Sequence, residues 1–179
     1  QCEELRNPTI KDKPVVVGVY SGRTEESGAV STSNYIARKY DVKSGMPLFL
    51  AKRKLEGTDS IFFKVDHEYY DHISDRIMGI FRGYASSLEQ VSVDEAYLDV
   101  TEQVEGSFEK AIEYAQKIKA DVKTQVGISF SIGVGPNKIV AKIACDSQKP
   151  NGLTIVEPEQ AEAFLAPLAV DRLLGVGKK

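Results

Sequence analysis

Short β-branched runs alternate along the chain with longer stretches whose apolar residues recur at helical spacing. Pro14 to Tyr20 (PVVVGVY) predicts a strand. Ser21 to Gly28 (SGRTEESG) is polar, with glycine near each end, and predicts a loop. Ser31 to Tyr40 predicts a short helix capped by Ser31, and Pro47 to Leu55 a second one between Gly45 and Gly57. Ile61 to Val65 (IFFKV) predicts a strand. His67 to Tyr84 predicts a longer helix, with Tyr70, Ile73, Ile77, Ile80 and Phe81 along one face. Leu88 to Val100 reads as a pair of short strands. Phe108 to Val126 reads as a long helix, with Ala111, Ile112, Ala115, Ile118 and Val122 in a stripe. Ser129 to Val134 (SFSIGV) predicts a strand. Asn137 to Ser147 predicts a helix capped by Asn137, its buried stripe being Ile139, Val140, Ile143 and Ala144. Leu153 to Val156 predicts a last strand, and the remainder is acidic, then helical, closing on Gly175-Val176-Gly177.

No internal repeat or low-complexity segment is visible. From Tyr69 onward the order is α, β, β, α, β, α. One further strand before the first helix would complete the split pattern βαββαβ of a ferredoxin-like, two-layer α+β domain. Pro8 to Ser60 sits where that strand would connect to the helix, so it reads as an inserted subdomain.

Composition narrows the function classes. The 179 residues are 42% hydrophobic and 27% charged, a globular balance. A net charge of −3 counts against a chain whose whole surface grips nucleic acid, but permits a domain that holds metal and nucleotide. No run of about eighteen apolar residues occurs, so no membrane span is expected. The start, Gln1-Cys2-Glu3-Glu4-Leu5, lacks the marks of a signal peptide and lacks Met, which suggests a processed, cut or excerpted chain. Cys2 and Cys145 are the only cysteines, so a reducing, cytoplasmic setting is expected rather than a disulfide framework. His67 and His72 have no ligand-spaced neighbours for zinc.

The most informative stretch is Ser92-Val93-Asp94-Glu95-Ala96-Tyr97-Leu98-Asp99-Val100. Adjacent strand residues point to opposite faces, so Asp94 and Glu95 can serve one site only where the backbone turns. Crowded carboxylates repel, and a bound Mg²⁺ removes that cost. From spacing alone an acidic turn facing water is the simpler account. Asp99 lies beyond the expected tip and reads as structural. Thr32, Tyr35 and Arg38 recur every third residue and can all donate to phosphate oxygens, although an ordinary polar helix face explains the spacing too. Lys138 and Lys142, four apart, share one face of their helix, and a solvated lysine face is the usual fate of such a pair. The glycines before them do not match the P-loop spacing.

Taken together these segments resemble the Y-family, lesion-bypass DNA polymerases, nearest to the polymerase IV-like (DinB-type) branch. Ser92 to Asp99 resembles that family's second metal-binding motif, Ser27 to Lys39 and Ile10 to Val17 its fingers, and Gly133 to Asp146 with Lys149-Pro150-Asn151-Gly152 its strand-helix element. Leu173 to Lys179 resembles the opening of the thumb's helix-hairpin-helix. The resemblance implies fingers at 1–61, palm at 62–155 and the start of a helical thumb at 156–179. It implies that Asp94 and Glu95 ligate Mg²⁺, two ions per active site. It also implies that Thr32, Tyr35, Arg38 and Lys142 meet the triphosphate, and that Gly175, Gly177 and Lys178 meet the DNA backbone. The expected partners are primer-template DNA, a deoxynucleotide and, through a region beyond this chain, a sliding clamp. The family's first motif, with another metal-ligating Asp and a bulky residue that rejects ribonucleotides, has no match here, since Gln1-Cys2-Glu3-Glu4 aligns just after it. A sheet short of one strand and a chain weakly active or inactive alone are therefore expected. The rivals are a palm-fold nucleotide cyclase, which needs no primer, and a non-catalytic nucleic-acid-binding module.

Overall fold

A computed structural model describes residues 1–22, 27–173 and 176. The chain divides into two compact units, Gln1–Asp71 and His72–Lys179.

The first unit opens with helix α1 (Cys2–Arg6), followed by strands β1 (Val15–Tyr20) and β2 (Gly28–Ser33), short helices α2 (Tyr35–Arg38) and α3 (Leu48–Lys54), and strand β3 (Ile61–Lys64). The valine run of β1 is buried residue after residue because it is the central strand, antiparallel to β2 and parallel to β3. Val16 meets Val30, Ala37, Val42, Leu48, Ala51 and Leu55 in one core.

The helix expected over Ser31 to Tyr40 is instead a strand and then a single turn. Gly28 to Ser33 pairs with β1, placing Thr32 opposite Val17, and the helical residues are only Tyr35–Arg38. The cap is Asn34, not Ser31. Its side-chain oxygen accepts from Ala37 N (3.0 Å) and Val15 N (3.1 Å), while its Nδ2 donates to Lys13 O (2.8 Å). One amide thus closes the turn and fastens it to the start of β1.

Glu3 is buried in a polar knot. Arg6 donates to both of its carboxylate oxygens (3.0 and 2.8 Å) and to Asp66 (2.9 Å), and Tyr70 Oη donates to Glu3 (2.6 Å). Burial alone would raise the carboxyl's pKa; the Arg6 and Tyr70 hydrogen bonds outweigh it and hold Glu3 below its ordinary value.

Helix α4 (His67–Arg82) leads across the division. The second unit continues with strands β4 (Ser87–Gln90) and β5 (Ala96–Asp99), helix α5 (Phe108–Val126), strand β6 (Ile132–Val134), helix α6 (Lys138–Ser147), strand β7 (Leu153–Ile155) and helix α7 (Ala161–Leu165). Helix α5 has the expected limits. Ser107 caps it by accepting from Lys110 N (3.2 Å), and Gly127 ends it at φ 83°, a left-handed conformation that suits glycine. Its buried stripe is Ala111, Ala115, Ile118, Val122 and Val126, and Ile112, expected in that stripe, is 38% exposed. Ile139 in α6 is likewise outside the buried face, at 53% exposure, leaving Val140, Ile143 and Ala144 there.

The strands pair as an antiparallel hairpin, β4–β5, and a parallel pair, β6–β7. In a full βαββαβ sheet another strand would lie between the hairpin and β6. Among the described residues β1, β2 and β3 pair with one another instead, so two small sheets stand where one was expected. Helix α6 lies close on β6 because Gly133 has no side chain: a Cβ there would sit 2.0 Å from Ala141 O and 2.3 Å from Cys145 N. The Lys119 ammonium of α5 gathers the chain entering both parallel strands. It donates to Phe130 O, to Asn151 O (3.1 Å) and Oδ1 (2.8 Å), and to Gly152 O (3.1 Å). Among the described residues no helix is long and apolar enough to cross a membrane.

Candidate active site

The β4–β5 hairpin carries the paired acids. Its ladder runs from Ser87 opposite Asp99 to Gln90 opposite Ala96, and the chain reverses over Val91 to Glu95, where the N–H groups of Val91 (2.9 Å) and Ser92 (3.2 Å) both donate to Glu95 O. Asp94 and Glu95 are therefore at the tip, where strand alternation no longer separates them. Asp94 is exposed, and its Oδ1 accepts from Ser92 Oγ at 2.7 Å. Glu95 is half-buried and paired with Lys142. Asp99 accepts from the backbone and hydroxyl of Thr101 (3.0 and 2.7 Å), hydrogen bonds that lower its pKa and give it the local, structural part expected of it.

Helix α6 runs its lysine row along this hairpin. Asn137 caps it by accepting from Val140 N (3.0 Å), Lys138 pairs with Glu89 of β4 and lies 5.5 Å from the Tyr97 ring centroid, and Lys142 pairs with Glu95. Lys138 remains an exposed lysine, 58% accessible, whereas Lys142 is largely withdrawn from solvent, at 19%. Partial burial works against the charge of Lys142, and the Glu95 and Asp146 carboxylates outweigh it, so its pKa lies above the ordinary value. Asp146 completes the row: its Oδ2 is 3.5 Å from Lys142 Nζ and its Oδ1 is 2.7 Å from Lys149 Nζ. Sequence reading passed over Glu89, and placed Asp146 and Lys149 in a matching motif without giving either a role of its own. The Lys142–Asp146 spacing of four was the available signal.

The first unit presents a different set. Tyr35 and Arg38 come together, the guanidinium carbon 4.7 Å from the ring centroid, while Arg38 Nε donates to Ser33 O at 3.0 Å. Thr32 is exposed on β2 and not on a common helical row with them. Gly175, Gly177 and Lys178 lie outside the described residues.

Could the tip hold a metal? Among the described residues no group of three or more His, Cys, Asp or Glu side chains could do so alone. Two hard carboxylates do fit Mg²⁺, which commonly takes one or two such ligands and completes its shell with water and substrate phosphate. The donor set thus suits a cation that arrives with a phosphate ligand.

A family model described as impB/mucB/samB matches residues 1–146. The chain belongs to the impB/mucB/samB family. Among curated relatives, the impB/mucB/samB-type chain is 49% identical to DNA polymerase IV of Nitrosopumilus maritimus over 180 residues, covering 100% of this chain and 50% of that protein. It is 49% identical to DNA polymerase IV of Metallosphaera sedula, covering 99% of this chain and 50% of that protein. The chain thus spans about half the length of the curated relatives it matches. Among solved structures, a Y-family DNA polymerase chimera superposes with a TM-score of 0.95 at 47% identity, over 99% of this chain and 51% of that one. An insertion ternary complex of Dbh DNA polymerase gives 0.93 at 46%, covering 98% and 51%. The α+β class and the Y-family, DinB-like resemblance read from the sequence agree with these findings.

Proposed function

We propose that this chain is fingers (1–61), palm (62–155) and the start of the thumb (156–179) of a template-directed DNA polymerase of the lesion-bypass type. The observation that carries the reading is the hairpin tip, where Asp94 and Glu95 share a turn and Glu95 is paired with a lysine of α6. In the proposed reaction a primer 3′-hydroxyl attacks the α-phosphate of a deoxynucleotide, a new P–O bond forms, and pyrophosphate leaves. Asp94 and Glu95 hold divalent metal, Mg²⁺ as two ions, which when bound supplies hydroxyl activation and charge stabilisation on the leaving oxygens.

Everything else falls to the chain's own side chains. Lys142, now paired with Glu95, would donate N–H bonds to the triphosphate. Arg38, anchored through Nε and stacked on Tyr35, offers its remaining guanidinium N–H groups to phosphate oxygens, with the hydroxyls of Tyr35 and Thr32 assisting. Ser92 fixes one oxygen of Asp94 and so orients the other. Gly175, Gly177 and Lys178 contact the DNA backbone. Primer-template DNA and a deoxynucleotide are the substrates, a sliding clamp is a partner of the whole protein, and the location is cytoplasmic.

The test is metal-dependent primer extension by the full-length protein. Extension that requires template, primer and divalent metal, and that Asp94→Ala removes, supports the reading. Turnover of nucleotide without primer points to a cyclase. Duplex binding indifferent to Asp94→Ala, with no extension, points to a binding module.

A further inference from the structure

Helix α2 is a single turn of four residues, and Tyr35 and Arg38 stand at its two ends. A helix that short does not hold its own shape, because nucleation fixes several dihedrals for each hydrogen bond gained. It buries one small side chain, Ala37, in the core with Val16 and Leu48, which sets its depth but not its direction. Direction comes from Asn34. Its N–H donates to Val15 O (2.9 Å), its Oδ1 accepts from Val15 N (3.1 Å), and its Nδ2 donates to Lys13 O (2.8 Å). The same Oδ1 accepts from Ala37 N (3.0 Å). Arg38 then holds the two carbonyls alongside: its backbone N–H donates to Asn34 O and its Nε to Ser33 O, each at 3.0 Å.

Capping alone does not account for this. A cap needs one acceptor oxygen, which Ser or Asp supplies about as well. The contacts to Val15 and Lys13 reach 19 and 21 residues back along the chain. They need an acceptor oxygen and a separate donor nitrogen on one rigid group, which Asn alone among the common cap residues offers. We propose that Asn34 is a positioning residue for the triphosphate: by locking α2 to the opening of β1, it sets where the remaining N–H groups of Arg38 point before any ligand arrives. This rests on the reading of Arg38 as a phosphate ligand. Without the lock the Tyr35–Arg38 stack moves with its turn, and each phosphate must order it again at an entropic cost.

Inorganic tripolyphosphate, titrated into the full-length protein in chelator, tests this with neither metal nor turnover. Affinity is read by calorimetry, and the Arg38 Nε–H resonance by NMR. N34S keeps a cap oxygen but cannot reach Val15 N and Lys13 O together. It is expected to weaken tripolyphosphate binding about three- to ten-fold, and to shift or broaden the Arg38 Nε–H signal before ligand is added. N34A should weaken binding at least as much, and N34S covers the case in which N34A folds poorly. In an R38A background N34S should cost no further affinity, because a residue that acts through Arg38 has nothing left to position. N34S with wild-type affinity makes Asn34 a helix cap only and overturns the proposal, as does an equal loss in both backgrounds. Either result leaves Arg38 as a phosphate ligand wherever R38A itself weakens binding. An R38A protein that binds tripolyphosphate as wild type does removes that parent reading, and this proposal with it.

Discussion

The two units arrange charge in opposite ways around their candidate residues. In the second, every lysine facing the hairpin is already matched by a carboxylate: Lys138 by Glu89, Lys142 by Glu95 and Asp146. In the first, Arg38 is held by a carbonyl and an aromatic ring, neither of which cancels its charge. A ligand phosphate gains attraction at Arg38 without displacing anything. At Lys142 it would compete with Glu95 and Asp146 for the ammonium. On the proposed reading the first arrangement leaves the cationic side chain open to phosphate, and the second sets carboxylates in competition for it.

That contrast can be broken at several strengths. Asp94→Ala should cost primer extension about a hundred-fold or more, read as kcat/KM at saturating metal, because a charge that develops in the transition state loses its stabiliser. Lys142→Ala should raise the nucleotide KM about ten- to a hundred-fold, the weight of a hydrogen bond to a charged group. Gly133→Ala should cost about 3 kcal/mol or more by denaturant titration, since its Cβ would meet backbone of α6 rather than a side chain that could swing aside.

Glu3→Gln should cost about 1–3 kcal/mol at neutral pH, towards the low end because its partner Arg6 is partly exposed. Its pH dependence has a definite sign. The Glu3 pKa is lower folded than its ordinary value of 4.5, so its contribution is present above that value and lost as pH falls through the folded one. The gap between variant and wild type should therefore close in acid, read as converging denaturation midpoints. Arg38→Lys keeps the charge and loses the planar fork that stacks on Tyr35, so it should raise the nucleotide KM only about two- to five-fold. An effect as large as that of Lys142→Ala would remove the distinction between the two units.

Much of the second unit was legible because its signals are local. The stripe along α5, the Asn137 cap and the turn between two short apolar runs each lie within one or two helical turns of chain. The helical placement of Thr32 was misread for the opposite reason. Gly28 to Ser33 has weak local preference, and its pairing with the valines of β1 decides its conformation, which is the context that strand propensity depends on. The Lys138–Lys142 row was visible as a spacing. That it faces the hairpin was not, since Glu95 is 47 residues away from Lys142 in the chain. Ile112 and Ile139 show a further limit: periodicity marks a helical stripe but does not fix which flank of it meets water.

Lys119 has a consequence for alignment. Strands β6 and β7 pair over three residues each, Ile132 to Val134 against Leu153 to Ile155, which is little ladder from which to count. A slip of one residue would turn every side chain to the other face. Lys119 gathers carbonyls from Phe130, Asn151 and Gly152, just ahead of both strands, and so serves as a common zero mark for them. Because α6 follows directly from β6, that mark on α5 also meters how far along the hairpin each lysine of α6 stands.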